Sequence, residues 1–178
     1  RTRSSPGITR IKPRITMIKG LNIIGTTQSG AGNFIQSVSA SSHEVLPEKF
    51  YCASSEEIEL ALSKAEEAFT SYSTMPGTQR ADFLDQIANE IENLGDQLIQ
   101  RASLETGLPN GRFEGERGRT TGQLRKFADL LRVGDWSNAV IDTANDAGQP
   151  DLRKIEYALG PVVVFAASNF PLAFSTAG

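Results

Sequence analysis

Few side chains in this sequence could take part in chemistry, and the most informative group lies near its end. Ser168-Asn169-Phe170-Pro171 follows a continuous apolar run, Val162-Val163-Val164-Phe165-Ala166-Ala167. A run without polar alternation is what a strand covered on both faces requires, as in a parallel sheet. Open α/β sheets place ligands at the carboxyl ends of such strands. There an asparagine amide could donate to an oxygen that gains negative charge, without carrying charge itself. The competing use of Asn169 is structural, in turn geometry or as a helix N-cap before Phe-Pro. Residue types alone favour that structural use.

A second group sits upstream, in a helix expected from about Asn110 to Val133. Arg119 and Gln123 are one helical turn apart and face the same way. Together they present a guanidinium fork and an amide on one side of the helix. Arg117, Arg119 and Arg125 could equally form a solvated basic face or pair with Glu114 and Glu116, and for any single arginine that use has the edge. The remaining candidates are weak. Ser29-Gly30-Ala31-Gly32-Asn33 contains Gly-x-Gly, but it lacks the third glycine of a dinucleotide fingerprint and no helix follows. Cys52, the only cysteine, reads as an ordinary buried or half-buried thiol, and His43, the only histidine, as a solvated loop residue. Glu56, Glu57, Glu59, Glu66 and Glu67 read as the solvated face of a helix. No metal site is expected.

The elements that must position these groups are legible from punctuation and periodicity. Leu21–Ile24 and Phe34–Val38 flank the Gly/Ser loop, a hairpin signal, and Val45 to Ala53 could add another strand. Ser54-Ser55-Glu56-Glu57 is a capping-box pattern, after which Ile58, Leu62, Ala65, Phe69 and Tyr72 share one face at helical spacing. Beyond Pro76-Gly77 a second helix turns Ala81, Leu84, Ile87, Ala88 and Ile91 inward and pauses near Gly95. Leu98, Ile99 and Ala102 continue helically to Gly107, with Pro109 beyond it as a normal stop. The helix from Asn110 has an inward stripe of Thr120, Leu124, Phe127 and Leu131. Residues 142–151 form a polar loop. The alternation from Leu152 to Leu159 fits a half-buried strand, and Leu172 to Gly178 begins a helix.

Bulk properties exclude several function classes. The 178 residues suffice for one domain with a core, and 39% hydrophobic with 22% charged residues is ordinary for a globular chain. A net charge of −3, from 18 basic and 21 acidic residues, gives no electrostatic reason to expect nucleic acid or an anionic membrane as partner. One cysteine permits no internal disulfide, so a reducing, cytoplasmic setting is the default. No apolar run is long enough to span a bilayer. Residues 1–16 are basic and free of acid, but Pro6, Gly7 and Pro13 spoil an amphipathic transit helix. They are expected to be a non-native or disordered leader, with Met17 as the natural start.

Three stretches carry a family resemblance. Gly160-Pro161-Val162-Val163-Val164-Phe165-Ala166-Ala167-Ser168-Asn169-Phe170-Pro171-Leu172-Ala173 resembles the segment of aldehyde dehydrogenases that opens the nucleotide-binding domain and carries its Asn-Phe-Pro motif. Arg101-Ala102-Ser103-Leu104-Glu105-Thr106-Gly107-Leu108-Pro109 and Gly115-Glu116-Arg117-Gly118-Arg119-Thr120-Thr121-Gly122-Gln123-Leu124-Arg125 are similar to the family in the same order. Within it, the Arg-Thr-Thr-Gly-Gln-Leu-Arg string and the Ala-Ser-Asn-Phe-Pro variant look most like the branch holding α-ketoglutaric semialdehyde (2,5-dioxopentanoate) dehydrogenases. NADP-dependent fatty aldehyde dehydrogenases are similar in the same places.

The resemblance implies an α/β fold whose N-terminal portion has a small β-sheet, a helical layer and the first strand of a Rossmann-like domain. Residues 17–159 would be the oligomerisation-strand and helical part, and residues 160–178 the start of the nucleotide-binding sheet. It implies NAD or NADP as cofactor, a small aldehyde as substrate and a homo-oligomer, dimer or tetramer. The implied reaction is oxidation of 2,5-dioxopentanoate to 2-oxoglutarate. A broad-specificity or fatty aldehyde substrate is one alternative, and a short non-catalytic homologue acting as an interaction subunit is another. Asn169 takes the place of the amide that stabilises the oxyanion, which reverses the preference stated above. Ala167 and Ser168 border the nicotinamide end of the cofactor, where many members have Pro-Trp. Phe170 matches a residue lining the substrate tunnel. Arg119, aligned through Leu124-Arg125, falls on the tunnel-lining helix, with Gln123 beside it. The family's cysteine nucleophile and glutamate base are expected beyond Gly178, so the 178 residues by themselves are expected to be inactive.

Overall fold

The computed structural model describes residues 18–176. The basic segment 1–16 and the proposed start at Met17 lie outside the described residues. Strands β1 (Asn22–Ile24) and β2 (Thr27–Ser29) form an antiparallel hairpin, as do β3 (Phe34–Val38) and β4 (Val45–Tyr51). Helices α1 (Ser55–Tyr72), α2 (Gly77–Asn93), α3 (Gly95–Thr106) and α4 (Asn110–Val133) follow. A short hairpin pairs β5 (Val140–Asp142) with β6 (Leu152–Lys154), and one turn of helix, α5 (Ala173–Thr176), comes last.

The helical layer follows the sequence closely. Ser54 caps α1 with both halves of the capping box, its hydroxyl accepting from the Glu57 N–H and the Glu57 carboxylate accepting from the Ser54 N–H. Glu57 also accepts from Ser29 and Asn22, so it ties α1 to the first hairpin and is not part of a solvated face. α3 ends on Gly107 at φ +74°, the left-handed stop that glycine adopts without penalty. The core lies where α2 crosses α4, with Ala81, Ala88, Leu124 and Ala128 buried and Phe113 and Ile99 alongside. Gly77 allows that crossing to be close, because a Cβ there would meet the Leu131 carbonyl oxygen at 2.5 Å.

Ion pairs line the rim of the same crossing. Arg125 grips Glu92 through two nitrogens at 2.6 and 2.9 Å and reaches Asn89 at 3.0 Å. Arg132 bridges Asp82 at 2.9 Å and Asp85 at 2.6 Å. The Arg125 hydrogen bonds pull the Glu92 carboxyl down from 4.5 to about 2.

Several expectations need correction. Leu21–Ile24 does not pair with Phe34–Val38. β1 turns back at once through Gly25-Thr26, with Gly25 at φ +60°, and β3 takes β4 as partner. Only Leu152–Lys154 of the 152–159 stretch pairs, and it is exposed, not half-buried. Residues 161–167 join no ladder, and Phe165 is 91% exposed. A buried strand needs neighbours on its edges, and among the described residues no strand pairs with this segment. Ile58, Leu62 and Tyr72 of α1 and Phe127 of α4 are also exposed. Cys52 is exposed too, just past the end of β4.

Candidate active site

α4 and the turn at 168–172 meet at one place, and the helix supplies most of the contacts. α4 starts after Pro109, whose fixed φ suits a helix entry, and stops at Gly134 in the left-handed region. Residues 112, 116 and 119 then fall at i, i+4 and i+7, on one side of the cylinder. The Arg112 guanidinium donates to the Asn169 carbonyl oxygen at 3.0 Å and lies 4.2 Å from the centre of the Phe170 ring. Arg119 approaches the same ring at 5.2 Å and the Phe174 ring at 5.7 Å. Phe170 and Phe174 pack with centroids 5.1 Å apart. Such cation–ring contacts contribute about 0.5–1 kcal/mol each where water reaches them.

Glu116 sits between the two arginines with a side chain that has 0% exposure. Its Oε1 accepts the backbone N–H groups of Leu172 at 2.8 Å and Ala173 at 3.1 Å. Its Oε2 has no hydrogen-bond partner among the described residues, and the nearest guanidinium nitrogen is that of Arg112 at 3.9 Å. Carboxylate-to-amide bonds are charge-assisted and stronger than neutral ones. Past this point the chain enters α5, where the Phe174 N–H donates to the Phe170 carbonyl and the Ser175 hydroxyl to the Pro171 carbonyl.

The residues singled out from sequence divide clearly. Asn169, Phe170 and Arg119 are brought together. Asn169 is exposed, and among the described residues its side-chain amide makes no hydrogen bond. Its φ is not positive and α5 begins at Ala173, so neither a left-handed turn nor an N-cap uses it. Ser168 is exposed and Ala167 half-buried at the end of the apolar segment. Gln123 is half-buried one turn from Arg119, with no hydrogen bond to it among the described residues. Two other arginines of α4 are committed elsewhere, Arg117 to the Gly95 carbonyl at 2.9 Å and Arg125 to Glu92. Among the described residues no group of three metal-binding side chains occurs.

Arg112 and Glu116 were not singled out, although a signal for both exists. They are an i, i+4 opposite-charge pair, and Glu116 falls on the stripe of Phe113, Thr120 and Leu124. An acid on an inward stripe must find donors inside.

Comparison with known proteins places the chain among relatives. The model of the Aldehyde dehydrogenase family matches residues 26–177. The chain is 51% identical over 148 residues to an alpha-ketoglutaric semialdehyde dehydrogenase of Acinetobacter baylyi, covering 81% of this chain and 28% of that protein. It is 53% identical over 133 residues to alpha-ketoglutaric semialdehyde dehydrogenase 2 of Azospirillum brasilense, covering 72% of this chain and 25% of that protein. The chain therefore spans about a quarter of the length of these relatives. Among solved structures, PnpE in complex with nicotinamide adenine dinucleotide is similar with a TM-score of 0.63 at 25% identity, covering 73% of this chain and 26% of that one.

Proposed function

The chain belongs to the aldehyde dehydrogenase family, and on that footing we propose that it forms the oxyanion-binding side of an enzyme that oxidises an aldehyde to a carboxylic acid with NAD or NADP. The observation that carries this reading is the Asn169 amide, whose backbone is held by Arg112 while its side chain is left unused by the fold. An amide N–H at a fixed place interacts best with an aldehyde oxygen once that oxygen carries negative charge. It therefore acts on the transition state more than on bound substrate. NAD or NADP, when bound, would supply the hydride acceptor for the oxidation. Ala167 and Ser168 would border its nicotinamide end, and their small side chains leave the backbone open to a flat ring, which fits that use. Phe170 would line the passage for substrate.

We read the aldehyde as 2,5-dioxopentanoate and the product as 2-oxoglutarate. Identity above half to two α-ketoglutaric semialdehyde dehydrogenases supports this. Arg119 supports it independently: its guanidinium is exposed, lies against Phe170 and has no carboxylate partner among the described residues. A distal carboxylate would meet that cation, with the Gln123 amide one turn along. In the complete protein, residues 17–159 would form the oligomerisation-strand and helical part of a dimer or tetramer, and residues 160–178 would begin the nucleotide-binding sheet.

The test is a substrate comparison on the complete enzyme. Initial rates with 2,5-dioxopentanoate and with hexanal, each under NAD and NADP, should give a higher kcat/KM for the semialdehyde acid. A preference for hexanal would reject the substrate reading, and no aldehyde-dependent reduction of either cofactor would reject the activity.

A further inference from the structure

We propose that Glu116, together with Arg112, is a positioning residue that sets the place of the Asn169 amide from one face of α4; the inference rests on the assignment of Asn169 made above. A carboxylate with no exposed surface is retained only where it is paired or hydrogen-bonded. If Glu116 served only the helix layer, its partners would lie on α2 or α4. Both of its accepted N–H groups instead belong to Leu172 and Ala173, directly after the Phe170-Pro171 pair. Arg112, one helical turn earlier, holds the other side of that pair through the Asn169 carbonyl and the Phe170 ring. Pro171 locks its own φ between the two grips. The turn is thus fixed at both ends from two residues of a long helix, and that fixes the direction in which Asn169 leaves the backbone.

The unpartnered Oε2 sharpens the point. Glu116 gives one oxygen to two amides and leaves the other facing Arg112 at 3.9 Å. The charge therefore also orients Arg112, so the two residues act as one unit. A displacement of about 1 Å in a reacting or stabilising group can cost about 100-fold in rate, so loss of this hold should appear in kcat and not mainly in stability or KM.

The experiment is a double-mutant cycle in the complete enzyme. Glu116→Ala, Glu116→Gln and Asn169→Ala are assayed alone, and each Glu116 variant is combined with Asn169→Ala, with thermal melting followed in parallel. Glu116→Ala should lower kcat by about 10- to 100-fold with KM held within about threefold. Glu116→Gln keeps an oxygen for both amides and should lose less than about fivefold. In the Asn169→Ala background, Glu116→Ala should cost less than about a further twofold, because the group it positions is gone. A loss that multiplies in full on top of a damaging Asn169→Ala would overturn the proposal and leave the Asn169 assignment standing. A near wild-type Asn169→Ala would overturn the assignment, and the proposal with it. Should Glu116→Ala not fold, Arg112→Met provides the same cycle from a side chain already 36% exposed, and a fully multiplied loss there is equally fatal.

Discussion

Replacing Arg119 by methionine separates a substrate-reading arginine from one that only decorates a helix. The structural cost of the change is small. The guanidinium is exposed and makes no ion pair among the described residues; its contacts are the Phe170 and Phe174 rings at 5.2 and 5.7 Å. At those distances the two contacts together stabilise the turn by about 1 kcal/mol, and methionine restores part of the apolar packing with its own stem. A charged hydrogen bond to the distal carboxylate of a semialdehyde acid is worth about 1.5–3 kcal/mol. That converts to a loss of about 10- to 150-fold in kcat/KM for 2,5-dioxopentanoate. Hexanal has no carboxylate to lose, so its kcat/KM should stay within about threefold, or rise. The assay is the initial rate of nicotinamide reduction on both substrates, with Arg125→Met as a control because Arg125 is already held by Glu92. Equal losses on both substrates would mean that Arg119 supports the turn and does not meet the carboxylate.

Three further outcomes are expected. Asn169→Ala in the complete enzyme should lower kcat by about 100- to 1,000-fold with much less change in KM; a kcat within a few-fold of wild type would refute the oxyanion role. Glu92 is held down from 4.5 to about 2 by Arg125, so its contribution is full above about pH 4.5 and fades as pH falls towards 2. Both side chains are about 40% exposed, so Glu92→Gln should cost only about 0.5–1 kcal/mol near neutral pH, as read from denaturant melts, and only a small fraction of that at pH 2; a full deficit that persisted at pH 2 would show packing loss instead. The 178-residue chain by itself should self-associate with rising concentration in sedimentation velocity, because Val162, Val163 and Phe165 are 72, 63 and 91% exposed on an unpaired apolar segment. Val164→Lys should weaken that association, and a strictly monomeric parent chain would count against it.

What could be seen in advance depended on how local the cause was. The capping box at Ser54, the left-handed stop at Gly107 and the bounds of α4 are each set by residues within a turn of one another, and each was legible. Strand pairing is not local in that sense. The expected hairpin joined the two apolar stretches across the Gly/Ser loop, whereas Gly25 lets β1 fold back sooner on Thr27–Ser29. Burial that depends on a covering partner is not local either. Apolar periodicity marks which face of α1 can be covered, not what covers it, and Ile58 and Leu62 stand exposed. The site shows the same division. Asn169 and Arg119 carry side chains whose chemistry is visible in a sequence. The roles of Arg112 and Glu116 arise from contacts spanning 57 and 56 positions.

The composition of α4 makes the packing argument stronger than its helical length suggests. Gly111, Gly115, Gly118 and Gly122 recur on one side of it, and a Cβ built on any of them meets nothing within 4 Å. Each glycine costs about 0.5–1 kcal/mol against alanine in a helix interior, so the segment does not hold its shape by intrinsic preference. It is held from the other side, where Phe113, Glu116, Thr120, Thr121, Leu124 and Ala128 are buried. Five of those six carry no charge, while the sixth, Glu116, faces the turn that bears Asn169. The same buried face that makes this a helix therefore fixes the residue proposed to meet the substrate oxygen. A change that loosened α4 against α2, such as a bulky residue at Gly77, would reach the site through that face and not through any contact with substrate.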